Sequence, residues 1–427
     1  RERLDSNSNH HRYVDTLHEC YNYLQRRDLG PDPGTQSATG SVGQRSVVSV
    51  PHLPGLENVE KYSSLYQRQL VMLPLFSSYS LKGIPVKNRV IMPPMVCFGY
   101  AGNDGVVTRK NLDHYRERAE GGAGIIVVEA SCIREDGRIA PSQLGMWSDN
   151  HIEGMSQLAA IIKSFGAVSL IQLHHSGLAA PESITGIPTG PSANPKDPNS
   201  RSLTVEEIHS IREDFIKAAI RAQKAGFDGV QIHGAHGYLL SQFASTFFNQ
   251  REDAYGGTVE GRMMLAGEII DGIRETCGDS LLLTYRMGAN SPKLKDGIAI
   301  ARYLEQKPID MLDVSHGGSL ISLPRSPKEF AYNWICYSGT EIKKAVKLPV
   351  GVVNEIRTPE RANYLIENNL ADFVNMGRPI LADPHWVSKA QHHEEMIVTC
   401  LNCKPRCKWY EDSSQCPALK IRMQKGL

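Results

Sequence analysis

Several features that would place this chain in other classes of protein are missing from its sequence. No apolar run approaches the roughly 18 residues that a membrane span requires. The first residues lack the basic-then-apolar layout of a secretory signal. The net charge is only +1, so no basic field favours nucleic acid or an anionic membrane surface. We therefore expect a cytoplasmic protein with neither a nucleic-acid partner nor a membrane partner.

A further absence concerns the fold. No G-x-G-x-x-G motif follows the first predicted strand, which argues against a dinucleotide-binding, doubly wound sheet. Instead, short apolar runs alternate with amphipathic stretches from Leu75 onward, and the runs are continuously apolar, as in parallel strands covered on both faces. Eight such strands predict an α/β fold, a closed (β/α)8 TIM barrel. They are Arg89–Pro94, Gly124–Ala130, Val168–His174, Gly229–His233, Leu281–Arg286, Met311–Ser315, Pro349–Asn354 and Phe373–Met376.

The chain of 427 residues is long enough for one large barrel with extensions at both ends. We predict an N-terminal extension over residues 1–74, the barrel over 75–390 and a cysteine-rich segment over 391–427. The extension contains one amphipathic pattern, Tyr13–Leu24, and a linker rich in proline and glycine from Pro31 to Gly43. Within the barrel, the predicted helices are Lys110–Glu120, His151–Phe165, Val205–Ala225, Val259–Thr276, Ile298–Glu305, Thr340–Val346 and Pro359–Asn369.

The segment after the fourth predicted strand carries two imidazoles, His233 and His236, and a phenol two residues further on, Tyr238. Residues that follow barrel strands meet at the C-terminal mouth, where eight loops converge. Two N–H donors can hold and polarise a carbonyl oxygen, and a nearby phenol can deliver a proton to carbon. A metal site and two structural histidines are alternative interpretations of the same spacing.

Other strand ends supply groups for a heterocycle and a phosphate. Gln172, near the end of the third strand, has an amide that offers both a donor and an acceptor. Arg286 ends the fifth strand, where a cation can stabilise the anionic region of a reduced flavin or serve only as a salt-bridge partner. Gly377 and Arg378 follow the eighth strand, a common phosphate-binding position in barrels. Together these residues predict a mononucleotide pocket.

Taken in chain order, several of these segments resemble the old yellow enzyme family. They are Asn88–Met95, Gln172-Leu173, the H-x-A-H-G-Y-L-x-x-x-F run from His233, Tyr285-Arg286 and Met376–Pro379. The resemblance implies a bound FMN, with Gln172 and Arg286 on the isoalloxazine and with Gly377 and Arg378 on the phosphate.

The same resemblance implies roles for residues around the flavin. The backbone of Pro94, Met95 and Val96 would lie against it. The two histidines after the fourth strand would bind a substrate carbonyl, and Tyr238 would be the proton donor.

Four cysteines near the C-terminus, Cys400, Cys403, Cys407 and Cys416, lie within 17 residues. Without a secretory signal, such a group favours a metal site over a disulfide framework. Zinc and a [4Fe–4S] cluster both use four thiolates, and the spacing lacks the paired C-x2-C knuckles of a zinc ribbon. The spacing resembles the iron–sulfur segment after the barrel in the 2,4-dienoyl-CoA reductase branch of the family. We expect [4Fe–4S], with zinc or an empty, degenerate site as alternatives.

The expected activity is reduction of an activated C=C bond in a small unsaturated carbonyl compound. NADH or NADPH would reduce FMN directly, or a separate electron-donor protein would reduce it through the cluster. One alternative is an amine dehydrogenase, although the histidine pair does not supply the aromatic box that a cationic amine requires. A second alternative is a non-catalytic electron carrier, which would need no proton donor such as Tyr238.

Overall fold

The computed structural model describes residues 73–194, 196–318, 323–404 and 407–426. The predicted N-terminal helix at Tyr13–Leu24 and the linker from Pro31 to Gly43 lie outside the described residues. Among the helices that the structure describes, none has both the length and the apolar character needed to cross a membrane.

Eight parallel strands close into a barrel in which each strand pairs with its neighbours in the chain and the last pairs with the first. The predicted barrel is therefore confirmed. Every residue of the five longest strands is buried, which explains why their sequences are mainly apolar and do not alternate between apolar and polar residues. The strands are β1 (Val90–Met92), β2 (Ile125–Cys132), β3 (Val168–His174), β4 (Gly229–Gly234), β5 (Leu282–Gly288), β6 (Met311–Ser315), β7 (Val350–Val353) and β8 (Phe373–Asn375).

One main helix follows each strand and covers the outside of the barrel. These helices are α1 (Arg109–Glu120), α2 (Ile152–Ser164), α3 (Val205–Lys224), α4 (Met264–Cys277), α5 (Leu294–Glu305), α6 (Trp334–Ala345), α7 (Pro359–Glu367) and α8 (Trp386–His392). Additional helices lie at Glu182–Thr185, Leu239–Ala244, Val259–Arg262, Gly377–Ala382, Lys408–Glu411 and Pro417–Gln424.

Three predicted helices differ clearly from the structure, and the one expected from Ile298 begins at Leu294. The single helix expected over Val259–Thr276 is broken at Met263, whose backbone has φ −95° and ψ 0°. The helix expected from Thr340 begins earlier, at Trp334. The Asn333 side chain accepts hydrogen bonds from backbone N–H groups of the first turn, and this N-cap fixes the earlier start.

A hairpin closes the N-terminal end of the barrel. Its strands, Tyr79–Leu81 and Ile84–Val86, pair antiparallel around a turn in which Lys82 and Gly83 have positive φ. Leu81 and Val86 are fully buried and belong to the same apolar cluster as the residues that fill the barrel interior. The interior members of this cluster are Ile91, Ile125, Val127, Val168, Leu170, Leu282, Met311 and Phe373.

The cysteine-rich segment packs against α1. The Tyr100 hydroxyl donates to Ser413 Oγ at 2.9 Å, and the Trp409 ring lies 5.6 Å from the His114 ring. Arg422 forms an ion pair with Glu117 of α1. These contacts hold the segment beside the loop that follows β1.

Candidate active site at the C-terminal mouth of the barrel

The strand register brings the predicted site residues to one level of the barrel. His233 on β4 is paired with Arg286 on β5, and Arg286 is paired in turn with Asp313 on β6. On the other side, Gln172 on β3 is paired with Gln231 on β4. The sequence prediction that these residues share the C-terminal mouth agrees with this register, although their roles are not thereby established.

A buried hydrogen-bonded network centred on Asp313 connects the predicted flavin-contact residues. Gln172 Nε2 donates to Gln231 Oε1 at 2.8 Å, and Gln231 Nε2 donates to Asp313 Oδ2 at 3.3 Å. Asn375 Nδ2 donates to Asp313 Oδ1 at 2.8 Å, and Arg286 Nε lies 3.6 Å from Asp313 Oδ2. Burial raises the pKa of Asp313, and the Arg286 guanidinium opposes that rise. Sequence reasoning missed Asp313, although a carboxyl inside an apolar strand was a usable signal.

The mouth has polar atoms suited to a polar ligand. Within the described part of the chain, Arg286 Nε and Asn375 Oδ1 are buried and have no hydrogen-bond partner. Buried polar atoms are nearly always hydrogen-bonded, so such atoms at a barrel mouth indicate a place for a ligand with donors and acceptors. Gly377 lies against the loop after β1, because a Cβ there would be 3.2 Å from Met95 Sδ. The residues present therefore fit a flavin.

The loop after β7 has an unusual backbone. Asn354 and Glu355 have φ values of 94° and 54°, so two consecutive non-glycine residues adopt the left-handed region. Such conformations are costly and concentrate at functional sites. Because loops after strands seven and eight commonly bind phosphate in barrels, this backbone is consistent with a phosphate-binding loop.

A hydrogen-bonded chain of three imidazoles crosses the mouth. It begins at Ser176 Oγ, which lies 3.0 Å from His174 Nε2, and continues from His174 Nδ1 to His233 Nδ1 over 3.0 Å. His233 Nε2 then lies 2.9 Å from His236 Nδ1, and His236 Nε2 lies 2.8 Å from Ser315 Oγ. The structure thus brings the predicted pair His233 and His236 together. It adds His174, Ser176 and Ser315, which sequence reasoning missed.

Burial sets the protonation of this site. It lowers the pKa of His174 to about 3 and lowers those of His233 and His236 well below the ordinary histidine value. All three imidazoles are therefore neutral near pH 7, each with one donor and one acceptor nitrogen. The ring of Tyr238 contacts His174 and His233 edge-on, with centroids 4.5 and 5.1 Å apart. Burial raises the pKa of Tyr238 to about 12, so the phenol stays protonated.

The four cysteines near the C-terminus line one small pocket, and they form no disulfide. Arg378 lines the same pocket and donates a hydrogen bond to Asn402. Burial raises the pKa of Cys407, and Arg378 opposes that rise. Among the described residues, however, no group of three or more His, Cys, Asp or Glu could hold a single metal ion. The predicted iron–sulfur site is therefore not confirmed.

The barrel and the groups at its mouth fit a flavin-dependent oxidoreductase, and comparison with known proteins gives the family. The sequence profile of the NADH:flavin oxidoreductase / NADH oxidase family matches residues 74–396. The chain belongs to this family, and the resemblance to old yellow enzyme is confirmed. It is an enzyme of the NAD(P)H-dependent, FMN-containing class.

Individual relatives agree with this assignment. The chain is 38% identical over 347 residues to an NADH oxidase of Thermoanaerobacter brockii, a match that covers 78% of this chain and 53% of that protein. The chain thus spans about half the length of that relative. It is 37% identical over 324 residues to an NADPH dehydrogenase of Bacillus licheniformis, covering 74% of this chain and 93% of that protein. The solved old yellow enzyme homologue of Zymomonas mobilis superposes with a TM-score of 0.63 at 28% identity, covering 74% of this chain and 91% of that one.

Proposed function

We propose that this protein is an ene-reductase that reduces a C=C bond conjugated to a carbonyl group in a small molecule. The observation that carries the proposal is the neutral pair of the buried His233 and the half-buried His236 beside the protonated phenol of Tyr238. Two hydrogen-bond donors and an adjacent weak acid suit a substrate that gains a proton next to a carbonyl. An amine substrate or a simple electron carrier has no use for this combination.

The predicted cofactor residues surround the same mouth. Gln172 and Arg286 would contact the isoalloxazine, and the buried Asp313 network holds both side chains in place. The backbone of Pro94, Met95 and Val96 would lie against the flavin. Gly377 and Arg378 would contact the phosphate, although Arg378 also borders the cysteine pocket. When bound, FMN would supply the hydride that the β-carbon of the substrate accepts, and NADH or NADPH would be the source of that hydride.

The protein's own groups perform the remaining steps. N–H groups of His233 and His236 donate to the carbonyl oxygen and draw electron density from the C=C bond, so that the β-carbon accepts a hydride. Tyr238 donates its proton to the α-carbon, which completes the saturated product. The resulting phenolate then recovers a proton from water. Neutral histidines serve this purpose because each retains one N–H without the cost of a buried charge.

Anaerobic turnover tests the proposal. The holoprotein, NADPH and cyclohex-2-enone are incubated without oxygen, and cyclohexanone is measured together with the NADPH consumed. We expect one saturated ketone per nicotinamide oxidised, and FMN as the flavin released by heat. Consumption of NADPH only in air, with the enone unchanged, would show that the enzyme is an oxidase rather than an ene-reductase.

We also propose that residues 75–390 form the FMN-binding unit and that residues 391–427 carry a [4Fe–4S] cluster. In support, all four cysteines line one pocket. Because Zn–S bonds are about 2.3 Å, zinc would bring its sulfurs within roughly 4.6 Å of one another. A four-iron cluster is larger and holds its thiolates further apart.

Iron and acid-labile sulfide in anaerobically purified protein test the cluster. Four of each per chain are expected, and Cys403→Ser should lower both while FMN stays bound. Stoichiometric zinc without sulfide would overturn the cluster. A separate protein that donates electrons through this segment remains a proposal, to be tested only once the cluster is found.

A further inference from the structure

The histidine chain across the mouth is arranged about one central contact, the 2.9 Å approach of His233 Nε2 to His236 Nδ1. Between two neutral imidazoles a hydrogen bond needs one proton, so one of these facing nitrogens is N–H and the other is a bare acceptor. A carbonyl oxygen held by both histidines needs both facing nitrogens to be N–H. Substrate binding therefore requires a particular tautomer of each ring.

The other ring nitrogens, His233 Nδ1 and His236 Nε2, are the outer nitrogens of the pair. Their hydrogen-bond partners determine whether those tautomers are available. When His233 carries its proton on Nε2, its Nδ1 is a hydrogen-bond acceptor. The neighbour that can donate a hydrogen bond to it is His174 Nδ1. His174 can donate from Nδ1 only if its Nε2 accepts from the Ser176 hydroxyl. For the other ring, His236 carries its proton on Nδ1 when its Nε2 accepts from the Ser315 hydroxyl.

We propose that His174 and Ser315 are positioning residues that set the tautomers of His233 and His236, so that both inner nitrogens donate to one carbonyl oxygen. This inference rests on the proposed ene-reductase function and adds to it the groups that prepare the two donors. The chain then has a hydroxyl donor at each end, and every hydrogen bond in it points towards the substrate oxygen.

The chemistry of the chain's ends supports this direction. A carboxylate at either end could only accept, and it would hold the proton on the outer nitrogen, away from the substrate. Both ends are instead serine hydroxyls, which can donate. Ser176 and Ser315 are 0% and 4% exposed, so water does not readily replace them.

The backbone also holds the second ring in place. His236 has a φ of 64°, in the left-handed region, and its backbone N–H donates to His316 O at 3.1 Å. The ring of His316 lies 4.7 Å from that of His236. A strained residue held by its neighbours is the arrangement expected where orientation matters for function.

Matched variants test the inference in the oxidised holoprotein. His174→Leu and Ser315→Ala each remove one hydrogen-bond donor from an outer nitrogen and leave His233 and His236 unmutated. Loss of one neutral hydrogen bond should weaken cyclohex-2-enone binding by about three- to tenfold and slow flavin reoxidation by the enone. His174→Asn should recover much of the loss, because its amide nitrogen stands near the former Nδ1. Ser338→Ala, which removes a buried hydroxyl bonded only to Trp334 O in α6, is the control and should change neither value.

Nitrogen NMR of labelled histidines measures the tautomers directly in the parent protein, so the test does not depend on a variant that folds correctly. In the free protein one of the facing nitrogens is the bare acceptor, and adding the enone to the oxidised parent protein should convert it to N–H, so that His236 Nδ1 and His233 Nε2 both carry a proton. If these tautomers do not change, or if both outer variants bind the enone as the parent does while His236→Ala does not, the inference is wrong and the proposed function survives. If His236→Ala also binds and reduces the enone normally, the carbonyl site itself is wrong.

Discussion

The two ends of the barrel are formed by the same eight strands, but one end is apolar and the other carries polar side chains. At the N-terminal end, Leu81 and Val86 of the hairpin pack on an entirely apolar interior. At the C-terminal end, equally buried positions carry His174, Gln231 and Asp313. Burying polar groups is costly unless they are hydrogen-bonded, and here nearly all of them are bonded to each other. One end therefore supplies stability, and the other holds the groups that can act on a ligand.

Among the substitutions that test this difference between the two ends, Tyr238→Phe should have the largest effect on the rate of flavin reoxidation. The change keeps the ring and its contacts with His174 and His233 but removes the acidic hydrogen. With a weakly activated enone, reoxidation of the reduced flavin should slow by about 10²–10⁴, while flavin reduction by NADPH should hardly change. Rapid-mixing measurements of each half-reaction check this. An equal fall in both half-reactions would make Tyr238 a structural residue.

His236→Ala should have the next largest effect. Removing one donor from a buried oxyanion-type site costs about 2.7–4 kcal/mol, or roughly two to three powers of ten in enone turnover. FMN should stay bound, because the predicted flavin contacts come from other strands. Steady-state enone reduction and flavin content per chain provide the measurement. Full activity in this variant would rule out its role at the carbonyl.

Buried charge at the C-terminal end should also make stability depend on pH. Glu129 of β2 is fully buried and accepts a hydrogen bond from the Cys97 backbone at 2.7 Å, and burial raises its pKa to about 7. Its folded-state pKa lies above the unfolded value, so its contribution to stability is complete below about pH 4.5 and is lost as the pH rises to about 7. The loss is on the order of 3 kcal/mol.

Glu129→Gln keeps an acceptor for Cys97 but cannot ionise. Urea unfolding at pH 5 and pH 8 should therefore show that the variant gains stability over the parent as the pH rises. The buried histidines act in the opposite direction in both proteins, since their lowered pKa values cost stability as the pH falls below about 6.5. An identical pH dependence in parent and variant would contradict the assignment for Glu129.

A substitution at the N-terminal end should have the smallest effect, because it should lower stability without changing catalysis. Val86→Ala removes two buried methyl groups from the hairpin and should cost about 2 kcal/mol of unfolding free energy. Both flavin half-reactions should keep their rates. Ser80→Ala, on an exposed position of the same hairpin, is the matched control. Altered enone kinetics in Val86→Ala, with FMN fully bound, would show that the ends are not separable.

The sequence predicted the barrel strands well because each is a short, mainly apolar run that is buried on both faces of the sheet. Helix bounds were weaker, since the Asn333 cap and the break at Met263 depend on local geometry that periodicity does not report. The hairpin was missed because three-residue strands give too short a pattern, even with Lys82-Gly83 as a turn signal.

Within the site, the prediction included residues that belong to a motif and missed those that act through another residue. His233, His236 and Tyr238 lie in one short run, so their proximity could be read directly. His174 and Ser315 come from β3 and β6, 59 residues before His233 and 79 residues after His236. Only the barrel register joins such distant positions. The cysteine spacing indicated four residues around one site, but the spacing alone does not fix their separation in space.

The most direct test of the central claim is a two-step anaerobic experiment on the parent protein. NADPH first bleaches the bound flavin, excess nucleotide is removed, and cyclohex-2-enone is then mixed in while the oxidised-flavin absorbance is followed. The account predicts that the absorbance returns at a rate that rises with enone concentration and that one cyclohexanone forms per flavin. A flavin that stays bleached with the enone and recovers only when oxygen is admitted would contradict it.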